Sequence, residues 1–134
     1  MNASAPAFIY TLEPRYVETD QGGRIHHASL VPWLEAARIG YLAHRDIAYA
    51  EVEKQGFFLI VRKLDARYLK PIYFGAPVQI HTTVSHLGYA SVRFGYDLYQ
   101  NQSACAYASS ELACINTAGK PTALPEFLVQ KISS

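Results

Sequence analysis

The spacing of apolar residues near the start of the chain predicts a strand that is followed by a loop. Phe8, Tyr10 and Leu12 occupy alternate positions, which is the pattern of a half-buried strand, and we expect this strand to end near Tyr16. The segment 19–23 contains two adjacent glycines, which interrupt regular structure. The first strand is therefore expected to lead into a glycine-containing loop.

After this loop the period of the pattern changes and predicts one long amphipathic helix. From Leu30 to Leu42 apolar residues recur at intervals of three and four positions, over about four helical turns. Ser29 is the expected N-cap, and Pro32 fits the first turn, where its missing N–H is not needed. Glu35 and Arg38 stand three positions apart on the other face, where we favour a structural ion pair over the alternative of a catalytic role.

The rest of the chain is predicted to be a short helix followed almost entirely by strands. The short helix is expected over 48–55, because Gly56 follows it as a C-terminal stop. Alternating apolar residues and the turn residues between them predict antiparallel strands over 57–63, 64–70, 78–84, 92–98 and 104–115, with a last helical turn or two over 125–131.

These elements predict an α+β fold in a single domain over residues 1–134. One strand and one long helix precede four or five consecutive strands, so we expect an antiparallel sheet of five or six strands. Only the long helix can cover the apolar face of this sheet, which leaves the edges and the other face short of cover. We therefore expect the chain to form a homodimer or a homotetramer.

Composition and charge narrow the classes of partner. The 134 residues are 50% apolar and 17% charged, and the formal net charge is +1 with neutral histidines. This balance gives no electrostatic case for nucleic acid or an anionic membrane surface as the main partner. Cys105 and Cys114 lie in a predicted strand, so we expect core residues rather than a disulfide or a zinc pair. No leader pattern and no long apolar run is visible, so we expect a cytoplasmic protein without stable membrane insertion.

The densest group of polar residues lies in the segment 16–27, immediately before the long helix. Backbone N–H groups at the start of a helix have no intrahelical partner, and such groups stabilise a developing oxyanion. Asp20 supplies a carboxylate in the same loop, suited to act as a nucleophile or as a base for water. Gly22 and Gly23 let the backbone approach a ligand closely. On spacing alone, the interpretation that Asp20 only caps a turn stays equally open.

The same segment resembles a known enzyme family. It reads Asp-x-Gly-Gly-x-Ile-x-His from Asp20 to His27, and the helix that follows carries Glu-x-x-Arg at Glu35 and Arg38. This combination resembles the 4-hydroxybenzoyl-CoA thioesterase family, and within it the acyl-CoA thioesterase branch associated with bacterial cell-envelope (tol-pal) gene clusters. The similarity spans most of the chain and continues through 58–63, 68–71 and 122–125.

The resemblance implies a hotdog fold, in which a sheet wraps around one long helix, and the hydrolysis of acyl-CoA thioesters. It implies that Asp20 is the catalytic carboxylate, which acts on the thioester carbonyl directly or through water. His27 matches the position whose backbone N–H faces the thioester oxygen, and its side chain is also implied in catalysis. Tyr16 matches a tyrosine beside the active site, and Gly23 is expected to assist as a neighbouring amide. His26 stands where this branch commonly has tyrosine. This difference affects the expected shape of the acyl pocket rather than the expected chemistry.

Binding of coenzyme A is expected to involve cations, because this molecule carries several phosphates. Arg62, Lys63, Arg67 and Lys70 are the candidates, because they cluster in one region of the sequence, and Arg62 and Lys63 are taken from them as the expected substrate-binding pair. Solvated positions on a strand are an equally good interpretation of each of these four residues.

No metal or other cofactor is expected, because a thiolate is a good leaving group and thioester hydrolysis requires none. His44, His81 and His86 lack the spacing of metal ligands. Most of the ten tyrosines are expected to pack on sheet faces or at a subunit interface, with Tyr41 or Tyr68 as alternatives that line an aromatic acyl pocket.

Two other functions stay open at this point. The first is a hotdog hydro-lyase that acts on acyl-thioesters, a class that takes its histidine and carboxylate from separate strands or subunits, whereas this loop contains both. The second is a module that binds acyl-CoA without turnover, which usually accompanies a DNA-binding domain. The acyl group, and the choice between coenzyme A and acyl carrier protein as its carrier, also stay open.

Overall fold

A computed structural model describes residues 7–134, and in this range it contains five strands, three helices and two short 3₁₀ turns. The strands are β1 (Phe8–Leu12), β2 (Phe58–Tyr68), β3 (Val78–Leu87), β4 (Ser91–Gln100) and β5 (Ser103–Ile115). The helices are α1 (Leu30–His44), α2 (Tyr49–Lys54) and α3 (Glu126–Ser133), and the 3₁₀ turns are Tyr16–Glu18 and His27–Ser29.

The five strands form one antiparallel sheet in the order β1-β3-β4-β5-β2. Short turns join β3 to β4 and β4 to β5, as antiparallel neighbours allow. Asn101 and Gln102 make the second of these turns with φ angles of 53° and 65°, and such left-handed pairs match the twist of two-residue hairpins. One five-stranded sheet with one long helix confirms the predicted α+β class.

Helix α1 packs on the sheet through an apolar face, and this packing fixes the position of the helix. Leu30, Leu34 and Ala37 are buried, and Tyr41 meets Phe94 of β4 edge-on with ring centroids 5.6 Å apart. Burial of one such leucine stabilises the fold by about 1.5–3 kcal/mol. The first turn of α1 is therefore held rigidly relative to the strands.

Gly40 sets how closely α1 approaches the edge strand β1. A Cβ atom at this position would lie 3.0 Å from a ring carbon of Tyr10 and 3.1 Å from one of Phe8. A larger residue here would require the rings of Tyr10 and Phe8 to shift by a few tenths of an ångström, so glycine allows the present close approach, although glycine inside a helix costs about 1 kcal/mol relative to alanine.

The first strand is shorter than its alternating pattern predicts. β1 ends at Leu12 rather than near Tyr16, which lies in the 3₁₀ turn that follows. Pro14 lies two positions after the end of the strand, and a proline has no N–H to donate to a neighbouring strand. The ladder between β1 and β3 therefore stops before this residue.

The segments predicted as two strands over 57–63 and 64–70 are one continuous strand. β2 pairs with β5 from Phe58 to Tyr68, and the register shifts between Val61 and Lys63. Arg62 is the extra residue of this irregularity, so the alternation of side chains changes phase there. In the sequence this change of phase resembles a strand boundary, which is why the prediction was wrong.

The start of α1 at Leu30 is confirmed, but its predicted cap is wrong. The Ser29 backbone is already helical, with φ −67° and ψ −19°, and its side chain makes no capping hydrogen bond. The 3₁₀ turn His27–Ser29 precedes the helix, and the capping side chain is that of His26. Two helical turns of different type thus follow each other without a break.

The remaining predicted elements agree with the structure. α2 ends just before Gly56, which has the positive φ of 91° expected of a helix stop, and α3 covers the predicted last helical segment. Cys105 and Cys114 are buried free thiols, as expected of core residues. None of the helices within residues 7–134 has both the length and the apolar character needed to span a bilayer.

Candidate active site

The Asp20 loop is a tight turn that fixes one oxygen of its carboxylate. The Asp20 amide donates to the carbonyl oxygen of Arg24 at 2.7 Å, and an antiparallel bridge between Thr19 and Ile25 closes the turn. Oδ1 of Asp20 accepts from the amides of Gly22 at 2.8 Å and Arg24 at 3.2 Å. The side chain is exposed, so its orientation comes from these two amides rather than from packing.

The turn that precedes α1 presents a free backbone amide at His27. Nδ1 of His26 accepts from the Ala28 amide at 3.2 Å, and the His26 carbonyl oxygen accepts from the Ser29 amide at 2.9 Å. Within residues 7–134 the His27 amide itself has no hydrogen-bond acceptor. The imidazole rings of His26 and His27 stack with centroids 4.3 Å apart, so both side chains stay at this end of the helix.

The Asp20 loop, the start of α1 and the end of β2 enclose an open cleft of about 410 Å³. One wall is the loop and the helix start, and the other is the segment that leaves β2. The structure therefore brings together Asp20, His26 and His27, three of the residues that the sequence analysis singled out. The complete lining is Asp20, Arg24, Ile25, His26, His27, Leu30, Tyr68, Leu69, Lys70, Pro71 and Ile72.

Tyr68 connects the two walls of this cleft. Its hydroxyl donates to the carbonyl oxygen of His27 at 2.8 Å. Burial raises the pKa of the Tyr68 hydroxyl above its ordinary value, so the group stays protonated and remains a donor in neutral solution. Of the two tyrosines considered for an acyl pocket, Tyr68 lies at the cleft, whereas Tyr41 is buried in the core against Phe94.

Gly23 and Tyr16 do not line the cleft. The Gly23 amide donates to the Asp20 carbonyl oxygen at 3.4 Å, and a φ of 76° explains why glycine suits this position. The observed contacts of Gly23 shape the turn, and its expected role as an assisting amide stays a prediction. Tyr16 is 75% exposed, and its ring meets the Phe74 ring edge-on with centroids 5.6 Å apart. A catalytic role of the Tyr16 hydroxyl stays a prediction.

Of the four cations expected for coenzyme A, Lys70 lines the cleft, whereas Arg62, Lys63 and Arg67 do not. Arg62 and Lys63 lie on β2 away from the cleft, and Arg62 bonds the Glu111 carboxylate at 2.8 Å. Lys70 and Arg24 both line the cleft. The ammonium group of Lys70 donates a hydrogen bond to the Ser103 hydroxyl at 2.6 Å. The sequence analysis missed Arg24, because this residue occupies a position that the Asp-x-Gly-Gly-x-Ile-x-His motif leaves unspecified.

Glu35 and Arg38 form the expected ion pair, with 3.8 Å between their charged groups, and they lie outside the cleft. Their structural interpretation is therefore the better one. Two of the histidines that lack the spacing of metal ligands pack against aromatic rings, His44 on Phe8 and His81 on Tyr99. In the described part of the chain no group of three His, Cys, Asp or Glu side chains is placed to hold a metal ion.

With this geometry established, the chain can be compared with known proteins. YneP of Bacillus subtilis strain 168, provisionally named an acyl-CoA thioesterase, is 31% identical over 88 residues. This match covers 66% of the present chain but only 64% of YneP, slightly less than two thirds of that protein. YbgC of Escherichia coli O6:H1, named an acyl-CoA thioester hydrolase, is 26% identical over 124 residues, which cover 91% of this chain and 92% of YbgC.

A solved structure agrees with these relatives. The crystal structure named as a DHNA-CoA thioesterase from Staphylococcus aureus superimposes with a TM-score of 0.87 at 29% sequence identity. The superposition covers 93% of this chain and 89% of that chain. The hotdog fold and the thioesterase class of enzyme, both predicted from the sequence, are thereby confirmed. The family model described as the thioesterase-like superfamily matches residues 14–132, and the chain belongs to this family.

Proposed function

We propose that this chain hydrolyses acyl-CoA thioesters in the cleft between the Asp20 loop and the end of β2. The observation that carries the proposal is that the Asp20 carboxylate and the unpaired His27 amide belong to one cleft. A carboxylate serves as nucleophile or base, and an amide at the start of a helical turn serves as oxyanion donor. These are the two groups that cleavage of a thioester needs.

Asp20 is proposed to attack the carbonyl or to activate the water that does so. Its Oδ1 is held by two amides, which leaves Oδ2 for the reaction. Direct attack forms a mixed anhydride and expels the coenzyme A thiolate, and water then hydrolyses the anhydride to the free acid and restores the carboxylate. In the alternative route Oδ2 takes a proton from water, and the resulting hydroxide adds to the carbonyl carbon. The tetrahedral intermediate then expels the coenzyme A thiolate, and the proton held by Asp20 returns to the products. Both routes give the same acid and thiol.

His27 is proposed to contribute in two ways. Its backbone N–H stabilises the oxyanion that forms on the carbonyl oxygen, and removal of one such donor typically lowers the rate by about 10²–10³. Its imidazole orients the water or protonates the leaving thiolate. The stacking on His26 supports this assignment, because it keeps the ring near the cleft.

Arg24 and Lys70 are proposed to bind phosphate groups of coenzyme A. They line the cleft from opposite walls, and within residues 7–134 neither is paired with a carboxylate. Their positive charges therefore remain available to an anionic ligand. The expected candidates Arg62 and Lys63 lie outside this cleft, so we assign the phosphate contacts to the other pair.

We propose that two copies of the chain pair through β2. This strand is an edge of the sheet, and its residues Leu64 and Tyr68 are 40% and 48% exposed. Both lie on the face of the sheet that packs on the core, because their cross-strand partners Ser110 and Ala106 are buried. A long edge strand with exposed apolar side chains on its core-facing side is suited to pairing with a second copy, as a homodimer or as half of a homotetramer.

We also propose that the chain belongs to the cell-envelope (tol-pal associated) branch of its family. The spacing from Asp20 to His27 supports this, as does the similarity to YbgC over most of both chains.

The names of similar proteins do not define the acyl group that this chain accepts. YbgC is named for acyl-CoA in general, whereas the Staphylococcus aureus enzyme is named for DHNA-CoA, so the acyl group needs a direct test. A panel of short, branched, long-chain and aromatic acyl-CoAs, assayed by thiol release, identifies the acyl class.

The Asp20→Asn variant tests the proposed function. Asparagine keeps the size of the side chain and removes the charge, so it can neither attack nor deprotonate water. We expect turnover of the best acyl-CoA to fall by about 10²–10⁴. The matched control is Asp97→Asn on the exposed face of β4, which should keep wild-type turnover.

The outcomes also separate the alternatives. Near wild-type turnover of Asp20→Asn contradicts the proposed mechanism. Hydration of crotonyl-CoA by the wild type, without thiol release, indicates the hydro-lyase. Tight binding of acyl-CoA without either reaction indicates the binding module.

A further inference from the structure

Glu18 is a buried carboxylate that the proposed hydrolysis does not use. Only 8% of its surface is exposed. Oε1 accepts from the Arg15 amide at 2.7 Å, and Oε2 accepts from the indole N–H of Trp33 at 2.8 Å. Trp33 lies on the buried face of α1, so this carboxylate joins the chain just before Asp20 to the long helix.

The backbone of Glu18 makes a second connection, to the 3₁₀ turn that precedes this helix. Its carbonyl oxygen accepts from the His26 amide at 2.7 Å and from the Ser29 hydroxyl at 3.4 Å. His26 directly precedes His27, and Ser29 directly precedes α1. Glu18 thus contacts the residues on both sides of the segment that presents the His27 amide.

We infer that Glu18 is a positioning residue that fixes the Asp20 carboxylate relative to the His27 amide. This inference rests on the proposed function, in which these two groups act on the same carbonyl. The bridge between Thr19 and Ile25, which includes the bond from the His26 amide to the Glu18 carbonyl oxygen, closes the Asp20 turn on itself. The Glu18 carboxylate fastens that turn to α1 through the Trp33 indole. The reacting groups therefore depend on Glu18 for their mutual distance.

The charge of Glu18 makes this connection strong. Burial raises the pKa of its carboxyl, but hydrogen bonds from the Arg15 amide, the Trp33 indole and the Arg15 guanidinium together hold that pKa below the ordinary value. An ionised acceptor makes hydrogen bonds roughly twice as strong as a neutral one. The Arg15 side chain is 72% exposed, so the amide and the indole are the important donors.

A carboxylate is required because it offers one oxygen to each donor. The side-chain amide of glutamine has a single acceptor oxygen, and its NH₂ group would face a second donor. Glu18→Gln therefore keeps the volume of the side chain but leaves the Arg15 amide or the Trp33 indole without an acceptor. A buried donor without an acceptor is unfavourable, so the loop is expected to shift away from α1.

The test compares the kinetics of Glu18→Gln with two other variants. We expect kcat to fall by about 10- to 100-fold, because a misplacement of about 1 Å in reacting groups has effects of this size, while KM changes less than about twofold. Trp33→Phe removes the same hydrogen bond from the helix side and should also lower kcat, by at least about fivefold. The matched control is Glu111→Gln, whose carboxylate bonds Arg62 and Arg93 away from the cleft, and its kcat should be unchanged.

Trp33 also supplies a spectroscopic signal, because it is the only tryptophan in the chain. A changed emission maximum in Glu18→Gln, with an unchanged far-ultraviolet circular dichroism spectrum, is the expected result in a folded protein. Should Glu18→Gln not fold, the kcat of Trp33→Phe decides the question. The inference is overturned if both variants retain kcat within about twofold of wild type, or if only KM changes. Wild-type turnover of Asp20→Asn would instead contradict the proposed function itself.

Discussion

At the residue scale, the candidate chemistry depends on which polar groups are already bonded. Oδ1 of Asp20 holds two amides, and the Gly23 amide is bonded to the Asp20 carbonyl oxygen, so both belong to the turn itself. The His27 amide has no acceptor within residues 7–134. The motif alone does not distinguish the amides of Gly23 and His27, whereas the structure shows that only the Gly23 amide has an acceptor within residues 7–134.

A pair of substitutions at His27 separates its backbone from its side chain. Proline removes the N–H, its fixed φ suits the first residue of a helical turn, and the His26 ψ of 136° is the conformation favoured before proline. We expect His27→Pro to lower kcat by about 10²–10³ and His27→Ala to lower it less. Steady-state thiol release measures both, and circular dichroism verifies folding. Equal kcat values in the two folded variants would exclude the amide as oxyanion donor.

At the element scale, the parts of the fold set by local pattern were predictable from the sequence. The helical period from Leu30 and the hairpins β3–β4 and β4–β5 depend on residues close together in the chain. The continuity of β2 depends on its pairing with β5, and the irregularity at Arg62 has no signal of its own. The sequence analysis therefore divided one strand into two.

The same distinction applies to the candidate site. Asp20 and His27 belong to one short segment, so their proximity could be predicted. Tyr68 and Lys70 reach the cleft only because β2 ends there, more than 40 positions later in the chain, and Arg62 on the same strand does not reach it. The sequence did contain one indication of a role for Glu18. Trp33 was predicted to be buried, and a buried indole N–H needs an acceptor, which Glu18 supplies.

At the scale of the whole molecule, the uncovered edge and the cleft adjoin each other. Tyr68 is the last residue of β2 and also lines the cleft, so a second copy paired along this strand would lie beside the candidate site. Assembly and activity are therefore expected to be coupled.

A charge placed on the β2 edge tests this coupling. Leu64→Lys puts a cation on the apolar face of the proposed interface, and we expect it to shift the protein to monomer in sedimentation and to lower turnover. The matched control is Ile9→Lys, at an exposed apolar residue of β1 on the opposite edge of the sheet. If Ile9→Lys dissociates the protein and Leu64→Lys does not, the interface lies at the other edge.

The most direct measurement is a crystal structure with an acyl-CoA analogue in which a methylene group replaces the thioester sulfur. We predict that its carbonyl oxygen lies about 3 Å from the His27 amide nitrogen. Its carbonyl carbon should lie about 3–3.5 Å from an Asp20 oxygen, or be separated from that oxygen by a single water molecule. A carbonyl bound away from His27, with Asp20 directed to solvent, would contradict the shared role of these two groups.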